Sequence, residues 1–442
     1  MGTLDAVDQI VIVMMENRSF DSMLGYLSLD EWKAKSPRKD PVNGLLTSKL
    51  TTGYVNPAAE GDPRSPFAVE SDDLFAADLP HGRWPIMAQL NWDTSQHQYA
   101  MNGFVKAQYP SGGTPKKPTC MGYFTPKHIP ITDFLAREYR VCDRWFCSIP
   151  ADTHPNRLMS ISGYTNIDTT GSLTRQNSTV LSYVEHLGRR NAASVYAKRA
   201  SFYSMLYDFA VEALVGSDRF HRYEAFETDW MAPPTTDPHI WIVEPAYADS
   251  PAFPWMTQGP PDDGHPPAQV AFAERFLHGV YTTLIKNPAR WARTIMVVTY
   301  DEHGGFFDHE KPLNITTPPP QAGVYRDFPS TGPRVPALIV SPYASRGSTC
   351  ALPMDHTSIL RMIAGKFAPT VQPPFSDVVG RRPVRSALEA LDLTSARGDV
   401  PVPPDPPEMP TVMPPGNSDS PVAQAFAAAV HYAELATGRV LR

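Results

Sequence analysis

The sequence predicts an α/β fold with a largely parallel central sheet. Short apolar runs recur along the chain without apolar–polar alternation, as strands covered on both faces require. Segments with helical spacing of apolar residues fall between those runs, the order that builds parallel sheets. Apolar residues make up 42% of the 442 residues and charged residues 19%, which suits a well-packed core.

The first strand is Gln9 to Met15 (QIVIVMM). Segments 35–70, 231–267 and 310–336 are rich in Pro, Gly, Asp and Ser, in a chain holding 47 prolines, and read as long surface loops. Arg140 to Cys147 is a shorter strand candidate. Helical patterns cover 181–190, 268–287 and 355–365. Thr294 to Tyr300 (TIMVVTY) and Val335 to Ser341 (VPALIVS) complete the strands. The expected organisation is a catalytic domain over 1–399 and a proline-rich connector over 400–419. An alanine-rich amphipathic helix within 420–442 then packs on the domain.

A net charge of −7 argues against a general nucleic-acid binder, which is usually basic. Cys120, Cys142, Cys147 and Cys350 are too scattered for a disulfide framework and read as reduced, buried thiols. No stretch approaches the ~18 apolar residues of a membrane-crossing helix. No basic segment precedes the first apolar run, so the chain reads as cytoplasmic. A removed leader would make it secreted or periplasmic.

Two strands end in polar clusters. QIVIVMM runs into Glu16-Asn17-Arg18-Ser19-Phe20-Asp21, and TIMVVTY into Asp301-Glu302-His303-Gly304-Gly305. Ligands of parallel sheets bind beyond the carboxyl ends of the strands. One such cluster would be a solvated turn. Two at equivalent ends point to a divalent cation, the usual remedy for carboxylates that repel each other. In Ser148 to Arg157 (SIPADTHPNR), Pro155 has the character of a first-turn helix residue. Thr153 or His154 then lies near the helix N-cap, where free N–H groups attract anions. A metal beside a hydroxyl there would make it a nucleophile, although Thr153 read alone merely caps a helix. His97 (TSQHQY), His265 (DDGHPP) and His356 (MDHTS) lie in polar contexts and can bind phosphate oxygens or protonate a leaving group. His303 and His309 are alternatives, or HGGFFDH orients a loop. There is no GxSxG elbow, HExxH, P-loop or dinucleotide GxGxxG.

ENRSFD (16–21), THPNR (153–157), EPAY (244–247), DDGHPP (262–267), YDEHGGFFDH (300–309), GPRVPALIVSPY (332–343) and DHTS (355–358) resemble the bacterial and plant phosphoesterase family. That family comprises non-specific phospholipases C and related acid phosphatases. The matches run in the family's order from residue 10 to about 365. The resemblance implies an alkaline phosphatase-like fold, a mixed and mainly parallel sheet between helices, with the site at its carboxyl edge. It implies a covalent phospho-enzyme on Thr153 and one divalent metal ion held by Asn17, Thr153, Asp301 and Glu302, with Glu16 beside it. His97, His265 and His356 would line the phosphate pocket, with Asn17 also touching substrate. His265 or His356 would serve the leaving alcohol as proton donor. The oxygen-rich set favours Ca²⁺, Mg²⁺ or Mn²⁺, and Zn²⁺ remains compatible.

Thr at position 153 resembles the phospholipase C branch; the acid phosphatase branch more often has Ser. The expected partner is therefore a phosphate ester, with a phospholipid as one candidate. EKP after His309 departs from the family's proline-rich stretch. The alternative is an acid phosphatase acting on monoesters. A sulfatase is disfavoured, because Thr153 cannot become formylglycine and CSIP (147–150) has the wrong spacing. A non-catalytic relative should have lost one of Asn17, Thr153, Asp301 or Glu302. Phe20, Trp84, Tyr123, Phe306 and Phe307 could seat lipid chains, with core or loop packing the favoured reading. Head group, acyl preference and oligomeric state are not legible.

Overall fold

The computed structural model describes residues 3–71, 78–170, 179–189, 191–205, 218–233, 238–248, 259–315 and 330–409, together with 431 and 435. Eight strands form the main sheet: β1 (Gln9–Met15), β2 (Arg140–Cys142), β3 (Ala193–Ala197), β4 (Phe220–Arg222), β5 (His239–Glu244), β6 (Thr294–Tyr300), β7 (Ala337–Val340) and β8 (Thr349–Cys350). Their spatial order is β4-β3-β5-β1-β6-β7-β2-β8. Every pairing is parallel except the two made by β7. The fold is the expected α/β class with a mainly parallel sheet.

β1 and β6 lie at its centre and are buried along their whole length, which is why both are uninterrupted apolar runs. They pair in phase from Gln9↔Thr294 to Met15↔Tyr300, and the Asp301 N–H donates to the Met15 carbonyl at 3.1 Å. The two polar clusters therefore leave the sheet side by side.

The helices that position the site are α1 (Phe20–Leu24), α2 (Arg83–Leu90), α3 (Pro130–Glu138), α4 (Thr153–Ser162), α5 (Val270–Ile285) and α6 (Thr357–Phe367). α4 packs on α6, and Arg157, Ile161 and Ile359 from this pair line a small cavity with Ile12 and Met14. α5 packs on α3 and approaches Tyr300, which shares its face of the sheet with Met15. Successive strand residues point to opposite faces, so the two helix pairs cover opposite sides.

Several expectations need correction. Segment 231–267, read as a loop, contains β5, a central strand paired with β1 on one side and β3 on the other. Its apolar stretch is only Ile240–Val243, too short to stand out among Pro and Asp. β3 and β4 were not foreseen at all. Val335–Ser341 reduces to β7. Arg140–Cys147 divides into β2 and the pair Trp145–Phe146, which joins Met354–Asp355.

The helices expected over 181–190, 268–287 and 355–365 occur as Val180–His186, α5 and α6. Loop 35–70 holds a single 3-10 turn, Thr47–Lys49, and two-residue strands; much of 310–336 (316–329) lies outside the described residues. All four cysteines are buried and free. Residues 400–409 run along α5, accepting from Tyr281 at Pro401 and from Arg275 at Pro407. The rest of the connector and the expected 420–442 helix lie outside the described residues, apart from His431 and Leu435, both helical. Among the described residues no helix is long and apolar enough to cross a membrane.

Candidate active site at the carboxyl end of the sheet

Glu16 and Asn17 leave β1, and Asp301 and Glu302 leave β6; all four are buried. Asn17 adopts φ 61°, a left-handed turn that asparagine tolerates. That turn aims its N–H at Asp301 Oδ1, at 3.2 Å. The same oxygen accepts the Glu302 N–H at 2.8 Å, while Glu302 Oε2 accepts from Gly304 at 2.8 Å. Gly304 has φ 61°, and a Cβ there would stand 2.2 Å from the Asn17 carbonyl oxygen, so only glycine allows the two loops to meet.

α4 delivers Thr153 and Arg157 one turn apart. The N-cap is Asp152, not Thr153 or His154; Thr153 is the first helical residue and His154 the second. The Asp152 carboxylate turns away to accept from Thr170 N–H at 2.8 Å. His154 is fully buried; its N–H donates to Thr170 Oγ1 and burial pushes its imidazole down to about 3. Arg157 locks the helix to both strand ends. Its Nε lies 3.3 Å from Asp301 Oδ2, and one Nη lies 3.3 Å from Glu16 Oε1. It also donates to the carbonyls of Met14 and Met15.

His265 enters from the loop after β5. Its N–H donates to Asp263 Oδ1, its Nδ1 lies 3.8 Å from Glu16 Oε2, and its Nε2 lies 3.4 Å from Asp78 Oδ1. His81 stands 6.1 Å from it, ring to ring, and 3.4 Å from the same Asp78 carboxylate. Burial lowers the His81 imidazole, but Asp78 and Glu302 outweigh burial and raise it to about 9. Burial raises the Asp78 carboxyl, but His81 and His265 outweigh it and hold it near 2. Burial pushes Glu16, Asp301, Asp152 and Asp263 up, Asp152 and Asp263 to about 6. Mutual repulsion with Asp301 and Asp263 adds to the rise at Glu16.

The expected residues do not all converge. Glu16, Asn17, Asp301, Glu302 and His265 do. His97 does not: it is exposed at a hairpin turn with φ 51°, beside Asp93 of the same hairpin. A polar sequence context cannot distinguish a pocket from an exposed turn. His356 adjoins the site from behind. Its Nε2 lies 2.6 Å from the Asp301 carbonyl oxygen and its Nδ1 accepts from Trp145 Nε1 at 3.4 Å. Burial lowers it to about 4, and both ring nitrogens are engaged, one by the Asp301 carbonyl and one by Trp145.

His303 meets Gln89 of α2 at 2.7 Å, and His309 meets Asp21 at 2.7 Å, so the HGGFFDH stretch is anchored through its histidines. Asp21 and Asp308 both accept from the buried Arg334, an internal ion network whose cation is already present. His81, Asp78 and Arg157 were missed. The signal for His81 is LPHGRWP, a histidine beside glycine in a proline-flanked loop, the setting of His265. The signal for Arg157 is its four-residue spacing from Thr153.

Among the described residues, Asp78–His81–His265 and Glu16–Asp263–His265 each bring their ligand atoms within 4.8 Å of one another. The donor set expected for a metal also has the marks of one. Both polar side-chain atoms of Asn17, and Glu302 Oε1, are buried without a hydrogen-bond partner. Buried groups of this kind are costly unless something satisfies them. A cation would meet that need and relieve the repulsion between the acids.

The model of the phosphoesterase family matches residues 7–368. The chain belongs to the phosphoesterase family. Among relatives in it, the chain is 30% identical to non-specific phospholipase C1 of Arabidopsis thaliana over 367 residues, covering 79% of this chain and 63% of that protein. It is 28% identical to phospholipase C A of Mycobacterium tuberculosis over 406 residues, covering 83% and 74%. This phosphoesterase thus spans less than two thirds of the first relative's length. A phosphonate monoester hydrolase of Agrobacterium radiobacter is similar at 13% identity with a TM-score of 0.31, over 60% of this chain and 72% of that one.

Proposed function

We propose that this phosphoesterase hydrolyses phosphoric esters through attack by Thr153, in the manner of a phospholipase C. The observation that carries the reading is the N-terminus of α4. It sets Thr153 one turn from Arg157, which is bonded to Glu16 and Asp301, the immediate chain neighbours of Asn17 and Glu302 with their unpartnered polar atoms. The names of the relatives favour a lipid diester over a monoester.

Asn17, Asp301 and Glu302, with Thr153 and Glu16 beside them, would hold one divalent ion. Bound there, that ion neutralises phosphate charge and lowers the pKa of the Thr153 hydroxyl. Oxygen and amide donors suit Mg²⁺, Ca²⁺ or Mn²⁺. His81, protonated at neutral pH, and His265 bind the phosphate oxygens. Thr153 Oγ gives its proton to solvent and attacks phosphorus in line; a P–O bond forms on Thr153 and the bond to the leaving alcohol breaks. The alcohol takes its proton from His81. Water then attacks the same phosphorus and passes one proton to His81, while the P–O bond to Thr153 breaks, releasing the phosphate product, and Thr153 Oγ regains a proton from solvent. Such transfer needs positioning and charge neutralisation more than covalent help from other groups.

Phosphatidylcholine and p-nitrophenyl phosphate are compared as substrates of the wild type and of Thr153→Ala, before and after chelation. Diacylglycerol release that requires Thr153 and a divalent ion is expected. Turnover of the monoester alone, with the same requirements, would make the enzyme a phosphatase. Turnover indifferent to Thr153 would remove the nucleophile from this scheme.

A further inference from the structure

Four of the five aromatics singled out in the sequence are core residues: Phe20, Phe306, Phe307 and Tyr123 are all buried. Trp84 is 61% exposed. It opens an uncharged run, Trp84 to Trp92 (WPIMAQLNW), that forms most of α2 and its C-cap. Surface helices of globular proteins carry charged or polar residues on their solvent face. Here the solvent face offers Trp84, half-buried Met87 and exposed Ala88, which share one side at helical spacing. Trp92, 45% exposed, follows directly beyond the C-cap Asn91, its ring edge against Tyr99 at 4.9 Å. Scattered apolar side chains need no explanation, but two exposed tryptophans at the ends of one uncharged run do.

The position of this strip matters as much as its composition. Trp84 follows three residues after His81. A Cβ added at Gly82, between them, would stand 4.0 Å from Asp152 Oδ2, beside the first residue of α4. The strip therefore borders the mouth of the candidate site on the side of Asp78, which is itself exposed. Arg83 is buried and paired with Asp168 at 3.3 Å, and its guanidinium lies 5.8 Å from the centre of the Trp84 ring.

We propose that Trp84, Met87, Ala88 and Trp92 form a docking strip that seats the protein on a zwitterionic phospholipid surface, with the site mouth facing the head groups. The choice of partner rests on charge. Tryptophan favours the boundary between acyl chains and head groups, where one end of the ring is apolar and the other wet. A chain of net charge −7 with an acidic rim at Asp78 is repelled by an anionic surface. It complements the outward cationic end of a zwitterionic head group. The inference rests on the phospholipase reading for its biological sense, but it concerns a surface outside the catalytic machinery.

The test uses phosphatidylcholine and phosphatidylglycerol vesicles and the water-soluble ester p-nitrophenylphosphorylcholine. Wild type should co-sediment with phosphatidylcholine vesicles and more weakly with phosphatidylglycerol. Trp84→Ala should lose about tenfold in phosphatidylcholine binding, and Trp84→Phe should retain part of it. Vesicle turnover should fall in step, while turnover of the soluble ester, which also reports correct folding, stays unchanged. Trp92→Ala provides a second variant with the same expected direction. Equal vesicle binding by wild type and both alanine variants overturns the docking strip while leaving the hydrolase standing. Tryptophan-dependent vesicle binding with no hydrolysis of either ester supports the strip and sinks the catalytic reading instead.

Discussion

Arg157 and His81 show how far single residues govern this site. Arg157 bonds Glu16, Asp301, two strand carbonyls and the Tyr247 hydroxyl, so the helix that bears Thr153 cannot shift without breaking buried charge pairs. Losing one partner of such a pair is expensive, about 3–5 kcal/mol, because the other charge stays buried. His81 makes a prediction about pH. Its imidazolium, stabilised by Asp78, is present at neutral pH and lost as pH rises through about 9. Turnover at low substrate should therefore fall on a basic limb near that value, and His81→Gln should be slow and lack that limb. A basic limb unaltered in His81→Gln would assign the ionisation elsewhere.

At the scale of elements, α4 is the part on which most depends. It ends at Gly163, whose φ of 71° satisfies the left-handed C-cap position. A Cβ there would stand 2.3 Å from Val379 Cγ2 and 3.2 Å from Leu360 Cδ1 of α6. Gly163→Ala should thus incur both left-handed strain, about 1–2 kcal/mol, and an overpacking cost of similar size. Gly188 has φ 73° with no atom within 4 Å of an added Cβ. Gly188→Ala should show the strain alone. Urea denaturation of both variants measures the difference; equal losses would mean that the contacts of α4 with Val379 and Leu360 relax freely.

The whole molecule holds an acidic cluster at one end of its sheet, and that has a thermodynamic consequence. Burial raises the carboxyls of Glu16 and Asp301 in the folded state. Groups raised in this way favour the fold most below their unfolded pKa values, and that contribution is lost as pH rises through the folded values. Without a cation, stability should decline as pH rises above the ordinary carboxylate range and these acids ionise against each other. A bound divalent ion stabilises the fold by mass action, about 2.7 kcal/mol at a hundred times its Kd. The rise in melting temperature on adding Mg²⁺, Ca²⁺, Mn²⁺ or Zn²⁺ to chelated protein should therefore grow with pH and disappear in Glu302→Gln. No rise with any of the four would argue against a metal site.

The two central strands and the acids that follow them were legible because burial on both faces demands uninterrupted apolar runs, and charge placed just after such a run is conspicuous. Arg157 was present in a recognised motif, yet its role needed the fold, since it reaches residues 141 and 144 positions away. β5 was invisible because two flanking strands, not its own four apolar residues, make it a strand. The histidines divide on the same principle. His81 and His265 share a carboxylate, His97 sits on an exposed turn and His356 is spent on a carbonyl. Local sequence governs which chemistry a side chain can perform and, through apolar periodicity, which segments form the sheet centre. Only the tertiary structure decides which of those side chains meet, because their neighbours in space come from distant parts of the chain.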